Sequence, residues 1–187
     1  MSAMSEETKN ALKQATEKLA AARADADSAK RACLAQIQAD LPERAAEAAK
    51  RVAIQYPDVT KELGKDGVAE MRAALQVAAE DIGRQFVAAI NEIDWPLGST
   101  YSKVENRNVH SALFKRFWKK TGALKQVLVE SGYKLGDADP FLPQALYVES
   151  KFTAVAAALT VLGRATTNFQ NAKEADDDSI VDDLWGS

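Results

Sequence analysis

The chain has 187 residues with 24 basic and 27 acidic side chains, and 47% of its residues are hydrophobic. These proportions are those of a globular protein and argue against wholesale disorder. One cysteine and one histidine leave no residues for a disulfide framework, a redox cysteine pair or a structural zinc site. The longest nearly unbroken apolar run, 154–162, is about half of the ~20 residues that cross a membrane, and the polar start lacks a secretion signal. We therefore expect a soluble cytoplasmic protein.

Helical periodicity begins with a seam near the start of the chain. Apolar residues recur there at alternating steps of three and four residues, the spacing of a heptad repeat. Most of them are alanine, so each buries little area and a partner helix must approach closely. The partner is either another helix of this chain or a second copy, which would make these residues a self-association seam. The seam residues are Leu12, Ala15, Leu19, Ala22, Ala26, Ala29 and Cys33.

The next helices are separated by proline and glycine. Asp40 and Pro42 predict a cap and a first turn, so the first helix is expected to end at residue 40. The helix that follows ends at Pro57, and a short helix then stops at Gly64. A long helix continues to Pro96, and Gly83 inside it predicts a close contact with another helix.

The second half of the chain is also read as helical. Ser102 and Glu105 form a capping box, and the helix that they start is expected to stop at Gly122. A short helix covers 123–130, and a last long helix runs from an Asp139-Pro140 cap to about Lys173. The prediction is an all-α bundle of three to four long antiparallel helices with short connecting helices. Residues 1–173 form one domain, made of a coiled-coil-like helix (1–40) and the bundle (41–173).

The final fourteen residues, 174–187, form an acidic tail that is predicted to be disordered. Six of them are acidic and none is basic. Hydrophobic residues are nevertheless embedded in the tail, and aromatic side chains often anchor interfaces. The alternative is that Leu184 and Trp185 fold back onto the body. The candidate partner-binding residues are Asp182, Asp183, Leu184 and Trp185.

An Asp-rich run that ends in hydrophobic residues resembles the C-terminal tips of bacterial single-stranded-DNA-binding proteins, which recruit partner proteins. The resemblance is confined to this tail, and it implies only a docking peptide. It departs from the family at the end of the chain, where Gly186 and Ser187 follow the tryptophan. The helical body does not resemble the β-barrel of that family.

A second candidate surface lies on the helix at 109–120. Its basic residues lie opposite an apolar and aromatic arc, which places cations and aromatics on different sides and disfavours base stacking. Basic amphipathic helices bind phosphate backbones or lie on anionic membranes. The alternative is a core helix with a solvated basic face. The candidate polyanion-binding residues are Lys115, Arg116, Lys119 and Lys120.

Nothing in the sequence indicates catalysis. The only histidine, His110, falls inside the apolar arc and is expected to be a partly buried structural residue. Phosphate-binding glycine loops, metalloprotease helices and nucleophile elbows are all missing. We therefore expect no enzymatic activity, no metal, no cofactor and no small-molecule substrate.

Two functions remain. The first is a helical interaction or assembly protein, an adaptor or structural subunit, that self-associates and docks a protein partner through its acidic tail. The second is a polyanion-binding module that places the basic helix on nucleic acid or an anionic membrane, with the acidic tail as an internal competitor.

Overall fold

The computed structural model describes residues 3–55, 57–130 and 146–185. Over these ranges the chain forms helices and connecting segments without a strand, which confirms the all-α class. The helices are α1 (Ala3–Gln55), α2 (Pro57–Ala88), α3 (Asn106–Glu130) and α4 (Thr153–Trp185), with 3₁₀ turns at Ile90–Glu92 and Glu149–Phe152. Within the described part of the chain, no helix has the length and apolarity to span a membrane.

The chain separates into two compact units. The first unit comprises the described residues among 1–30, 95–109 and 152–187. The second unit comprises those among 31–94 and 110–151. Each unit has its own buried side chains.

The predicted end of the first helix at residue 40 is wrong, because α1 continues to Gln55 with Pro42 inside it. Asp40 does not cap a helix, and its carboxylate instead pairs with the ammonium group of Lys151. An internal proline removes one helical hydrogen bond and costs about 3 kcal/mol. Leu41 and Ala45 are 0% and 1% exposed on either side of it. Burial of this stripe therefore holds the helix together through the proline.

The boundaries predicted in α2 are confirmed at its start. Pro57 is the first residue of α2, and Gly64 interrupts the helix with φ 66° and ψ −176°. This left-handed φ favours glycine. The close contact predicted at Gly83 is also confirmed, since a Cβ atom there would lie 3.1 Å from Cα of Gln38. The helix ends at Ala88 rather than at Pro96, and a 3₁₀ turn follows it.

The start and the end of α3 differ from the prediction. The helix begins at Asn106, because the Ser102 hydroxyl is used in a turn, where it accepts a hydrogen bond of 2.8 Å from the Ser99 backbone N–H. It then continues through Gly122 to Glu130 as one helix instead of two. Leu124, two residues beyond the glycine, is fully buried. Core packing beyond the glycine therefore outweighs its low helix propensity.

Gly122→Ala is expected to raise the free energy of unfolding by about 0.5–1 kcal/mol. A Cβ atom at this position would meet no atom within 4 Å, so the substitution causes no clash. The gain in stability comes from the reduced backbone freedom of the unfolded chain. Urea unfolding followed by circular dichroism measures the change. Gly64→Ala is the matched control, and it should destabilise because of its positive φ. A loss of stability at Gly122 would contradict a continuous α3.

The last helix begins later and ends later than predicted. The predicted Asp139-Pro140 cap lies outside the described residues, and α4 starts at Thr153. The helix does not end near Lys173, and the predicted disorder of the acidic tail is not found over residues 174–185, which continue α4 to Trp185. Half-buried side chains recur at helical spacing through this segment, at Phe169, Ala172, Asp176 and Ser179. The contact face of α4 thus extends into the acidic segment.

The core of the first unit lies where the seam of α1 packs on α4. Leu19, Ala22 and Ala26 are buried together with Leu162 of α4, and Phe169 packs against them. The structure therefore supplies the partner of these seam residues from the same chain. Self-association remains a prediction, and it would require an exchange of α4 between copies or another surface. Over the whole seam, Leu19, Ala22, Ala26 and Cys33 are buried, and Leu12, Ala15 and Ala29 are half-buried.

The segment before α3 is held against α4 in the same unit. The Val104 N–H donates a hydrogen bond of 2.9 Å to Oγ1 of Thr160. Near it, two glycines meet backbone to backbone. A Cβ atom on Gly163 would overlap the carbonyl oxygen of Gly98 and would lie 2.5 Å from its carbonyl carbon. This approach is open only to glycine at position 163.

Cys33 lies in the second unit as a small buried thiol. It is 6% exposed, and its Sγ lies 3.7 Å from the carbonyl oxygen of Lys151, to which it donates. Burial raises the pKa of the Cys33 thiol from 9.0 to about 11. The thiolate is the reactive form of cysteine, so the folded protein protects this residue from modification.

The pKa of Cys33 predicts that stability falls in alkali. Between pH 9 and 11 the unfolded thiol has lost its proton while the folded thiol keeps it, so rising pH favours unfolding. From pH 9 to 10 this contributes a loss of about 1 kcal/mol in the free energy of unfolding. Urea titrations at both pH values measure the loss. Cys33→Ala should show a smaller loss over this interval, and an equal loss in both proteins would contradict the assignment.

Candidate functional site

The solvent-exposed side of α3 carries cations and a tryptophan, and we name it the cationic face. Its members recur at steps of three and four residues, so they share one side of the helix. All of them belong to the second unit. The exposed residues of this face are Ser111, Lys115, Trp118, Lys119, Gly122, Lys125, Gln126 and Val129.

The structure divides the four predicted polyanion-binding residues into two pairs. Lys115 and Lys119 are exposed, and neither makes an ion pair with a described residue. Arg116 and Lys120 are half-buried and are used within the unit. Arg116 donates a hydrogen bond of 3.0 Å to the Glu92 carbonyl and pairs with its carboxylate. Of these four residues, only Lys115 and Lys119 are exposed and have no ion-pair partner among the described residues.

Arg116 and Lys120 lie along an open cleft of about 580 Å³ beside the cationic face. Lys120 donates a hydrogen bond of 3.0 Å to Oε1 of Gln85. Nε of Arg116 is buried and has no hydrogen-bond partner in the described part of the chain. Four cationic side chains and two carboxylates line this cleft, so acidic groups partly cancel its positive charge. The lining residues are Glu92, Ile93, Asp94, Ala112, Lys115, Arg116, Lys119 and Lys120.

The prediction that aromatics and cations lie on opposite sides of this helix is wrong for Trp118. Its side chain is 46% exposed, while Phe117 is fully buried. The Trp118 ring packs on Phe114, with ring centroids 5.5 Å apart. Trp118 therefore shares the solvent face of α3 with Lys115 and Lys119.

Sequence reasoning missed Trp118 because it ended the helix at Gly122. Once α3 continues, the residues four and seven positions after Trp118 are Gly122 and Lys125, both of which are exposed. Neither is a core residue type, so their positions mark this side of the helix as solvent-facing. A helix drawn through the glycine would have revealed the exposed tryptophan.

The second surface is the acidic end of α4, residues 174–185, which we name the acidic helix end. Ile180 and Val181 are 45% and 52% exposed there, next to exposed carboxylates at Asp177, Asp178 and Asp182. Of the predicted partner-binding residues, Asp182 is exposed. The side chains of Asp183, Leu184 and Trp185 lie outside the described part of the structure. The pair at 180–181 is therefore the exposed apolar part of this surface among the described residues.

No protein-family model, curated protein or solved structure matches this chain. Its function has to be inferred from the chemistry of these two surfaces.

His110 and Tyr147 pack together with Phe114 in the second unit. His110 is half-buried and stacks on Phe114 with ring centroids 5.3 Å apart. Tyr147 donates a hydrogen bond of 3.2 Å to the His110 carbonyl, and burial raises the pKa of its hydroxyl. Across the described ranges, no three His, Cys, Asp or Glu side chains come together in a way that could hold a metal ion.

Proposed function

We propose that this chain is a helical interaction protein that docks a protein partner through its acidic helix end. The observation that supports this most directly is the exposed pair Ile180 and Val181, 45% and 52% accessible on a helix. Apolar side chains that a helix leaves in solvent serve as anchors when the helix lies in a groove of another protein. Such a role suits an adaptor or a structural subunit.

The charges around this pair predict the surface chemistry of the partner. Residues 174–183 carry six carboxylates and no cation, so the complementary groove is apolar at its floor and lined with lysine or arginine at its rim. Charges at a rim act mainly on the rate of association and on specificity. The anchors would then set the lifetime of the complex. This surface remains within one unit and needs no rearrangement of α4.

The docking proposal is tested by the paired variant Ile180→Ser/Val181→Ser. Proteins retained by the intact chain are identified by quantitative mass spectrometry and compared with those retained by the variant. A synthetic peptide of residues 174–187 should displace the same partner. The control is Val77→Ser, since Val77 is 65% exposed on α2. A set of retained proteins that is the same for the paired variant and the intact chain would contradict the proposal, as would a partner that the control loses to the same extent as the paired variant.

Self-association is a separate part of the proposal, because the seam residues of the first unit already pack on α4. A dimer would form through an exchange of α4 or through another surface. Sedimentation velocity over a wide range of protein concentration tests it. A monomeric mass at every concentration would remove self-association and leave partner docking untouched.

The second candidate function is polyanion binding by the cationic face. It is favoured by Lys115, Lys119 and Lys125, which are exposed and have no ion-pair partner among the described residues. Contacts to phosphates release counterions, so affinity should fall steeply with salt. Binding to heparin and to DNA at about 50 and 200 mM salt measures this dependence.

The matched control for the lysines comes from α1. Lys115→Gln/Lys119→Gln and Lys9→Gln/Lys13→Gln remove the same charge from two exposed positions four residues apart. Only the first pair should flatten the salt dependence of polyanion binding. A third variant, in which the carboxylates of residues 174–183 become amides, tests the predicted internal competition through a gain in affinity at low salt.

A further inference from the structure

We infer that the cationic face binds single-stranded nucleic acid, with Trp118 as the platform on which a base stacks. This inference rests on the polyanion-binding function and specifies its ligand. It follows from the exposed aromatic ring among the cations, since binding by charge alone would not need such a ring.

The Trp118 ring is held in place before any ligand arrives. It packs on Phe114 at 5.5 Å, and Phe114 is itself packed against the rings of His110 at 5.3 Å and Tyr147 at 5.1 Å. A ring that is fixed on one side and 46% exposed overall loses little freedom on binding, which favours affinity. Bases stack on such rings in single-strand-binding proteins whatever their sequence.

The cations are placed around this ring at helical spacing. Lys115 precedes both Trp118 and Lys119, by three and four residues, so its side chain lies beside each of theirs. A strand whose base lies on the ring would therefore pass these two lysines. Lys125 lies further along the same face. From Asn106 to Val129 α3 contains no acidic residue. Along α3 itself, no carboxylate therefore separates Lys115, Lys119 and Lys125.

Gly122 leaves room beside the ring. It lies one turn after Trp118, and a Cβ atom at this position would meet nothing within 4 Å. A flat base can approach the tryptophan from this side without displacing a side chain.

Other polyanions fit this face less well. An anionic membrane binds helices that bury an apolar face, but Leu113, Phe117 and Leu124 are fully buried in the core. Val129 is the only other large apolar side chain on the described exposed face. In a duplex the bases are already stacked on each other, so Trp118 would find no base surface. Single strands alone use both the cations and the ring.

The experiment measures the affinity of the full chain for four probes by fluorescence anisotropy and co-sedimentation. The probes are oligo-dT and oligo-U of about 16 nucleotides, a duplex of the same length, and vesicles of phosphatidylcholine and phosphatidylserine. Each is measured at about 50 and 200 mM salt. We expect the two single strands to bind alike, since stacking and phosphate contacts do not read the sugar, and to bind more tightly than the duplex.

Variants separate the ring from the charges. Trp118→Leu should weaken single-strand binding about tenfold, the effect of losing one stacked base, and leave duplex binding unchanged. Trp118→Phe keeps an aromatic ring and should recover most of the affinity. Lys115→Gln/Lys119→Gln should reduce the salt slope for single strands by about 1.4, the value for two phosphate contacts, while Lys9→Gln/Lys13→Gln leaves it unchanged. Circular dichroism verifies that each variant is folded.

The measurements distinguish failure of the stacking inference from failure of polyanion binding. If Trp118→Leu binds single strands as tightly as the parent while Lys115→Gln/Lys119→Gln binds them weakly, the stacking inference is overturned and polyanion binding survives. Binding to vesicles alone would overturn the inference in favour of a membrane surface. If no probe binds at the lower salt, polyanion binding itself falls and the inference falls with it.

Discussion

Phe117→Ala is expected to lower the free energy of unfolding by about 3–5 kcal/mol. Phe117 is fully buried, and its ring packs edge-on against Phe86 with centroids 5.7 Å apart and at 5.1 Å from the ring of Tyr147. Truncation removes a large apolar surface from the core and leaves a cavity beside Phe86 and Tyr147. Small domains are stable by only about 5–15 kcal/mol, so the variant should approach the threshold of unfolding.

Chemical denaturation of the variant and its neighbour provides the measurement. Trp118→Ala is the matched control, because this aromatic residue is next in sequence but 46% exposed. The control should lose clearly less than Phe117→Ala. Equal losses at the two positions would contradict the orientation of α3 and, with it, the exposed platform on the cationic face.

Gly163→Ala is expected to lower the free energy of unfolding by about 2–3 kcal/mol, although alanine is the better helix former by about 1 kcal/mol. The new methyl group would overlap the carbonyl group of Gly98. Backbone atoms cannot rotate away as a side chain can, so the segment that leads into α3 must move off α4. The hydrogen bond from Val104 to Thr160 would be weakened by the same movement.

Gly122→Ala is the matched control for this prediction, because the two substitutions should change the free energy of unfolding in opposite directions. Both glycines lie inside helices, and the same substitution should stabilise α3 and destabilise α4. Thermal or urea unfolding of the two variants, side by side, measures the opposite shifts. A gain in stability at Gly163 would show that Gly98 is not seated against this helix.

Apolar periodicity predicted the all-α class and part of the buried surface. The heptad spacing of Leu19, Ala22 and Ala26 identified the face that is buried in the first unit, and the glycine at position 64 identified a real interruption. Both signals are local, since they depend on the residue and its helical neighbours. The predicted antiparallel bundle concerns how the helices are arranged relative to one another. Local signals do not determine that arrangement, so the bundle stays a prediction.

Two of the wrong boundaries have one cause in common. Asp40-Pro42 and Gly122 are residues that end a helix when local preference decides. Each is flanked in the structure by fully buried side chains, Leu41 and Leu124, and tertiary packing outweighs a local cost of a few kcal/mol. A sequence pattern shows the cost but not the packing that opposes it.

The candidate sites were predictable in part. The basic residues around Lys115 were found from charge alone, but the use of Arg116 by Glu92 depends on a contact between residues 24 positions apart. The exposure of Trp118 could be predicted only if α3 was known to continue beyond Gly122. The acidic residues of the last segment were evident from the sequence. The exposure of Ile180 and Val181 side by side depends on the helical course of that segment.

The alanine seam has a mechanical consequence. Leu12 and Leu19 are seven residues apart, as are Ala15 and Ala22. A shift of α1 by one heptad would therefore place Leu12 where Leu19 had been and Ala15 where Ala22 had been, and only Leu19 would replace a smaller side chain, that of Ala26. Such a shift moves the helix by about 10 Å along its axis. Methyl groups present only low obstacles to it. Under a load applied along α1, the two helices of the first unit should therefore slide in steps of one heptad instead of separating in a single event.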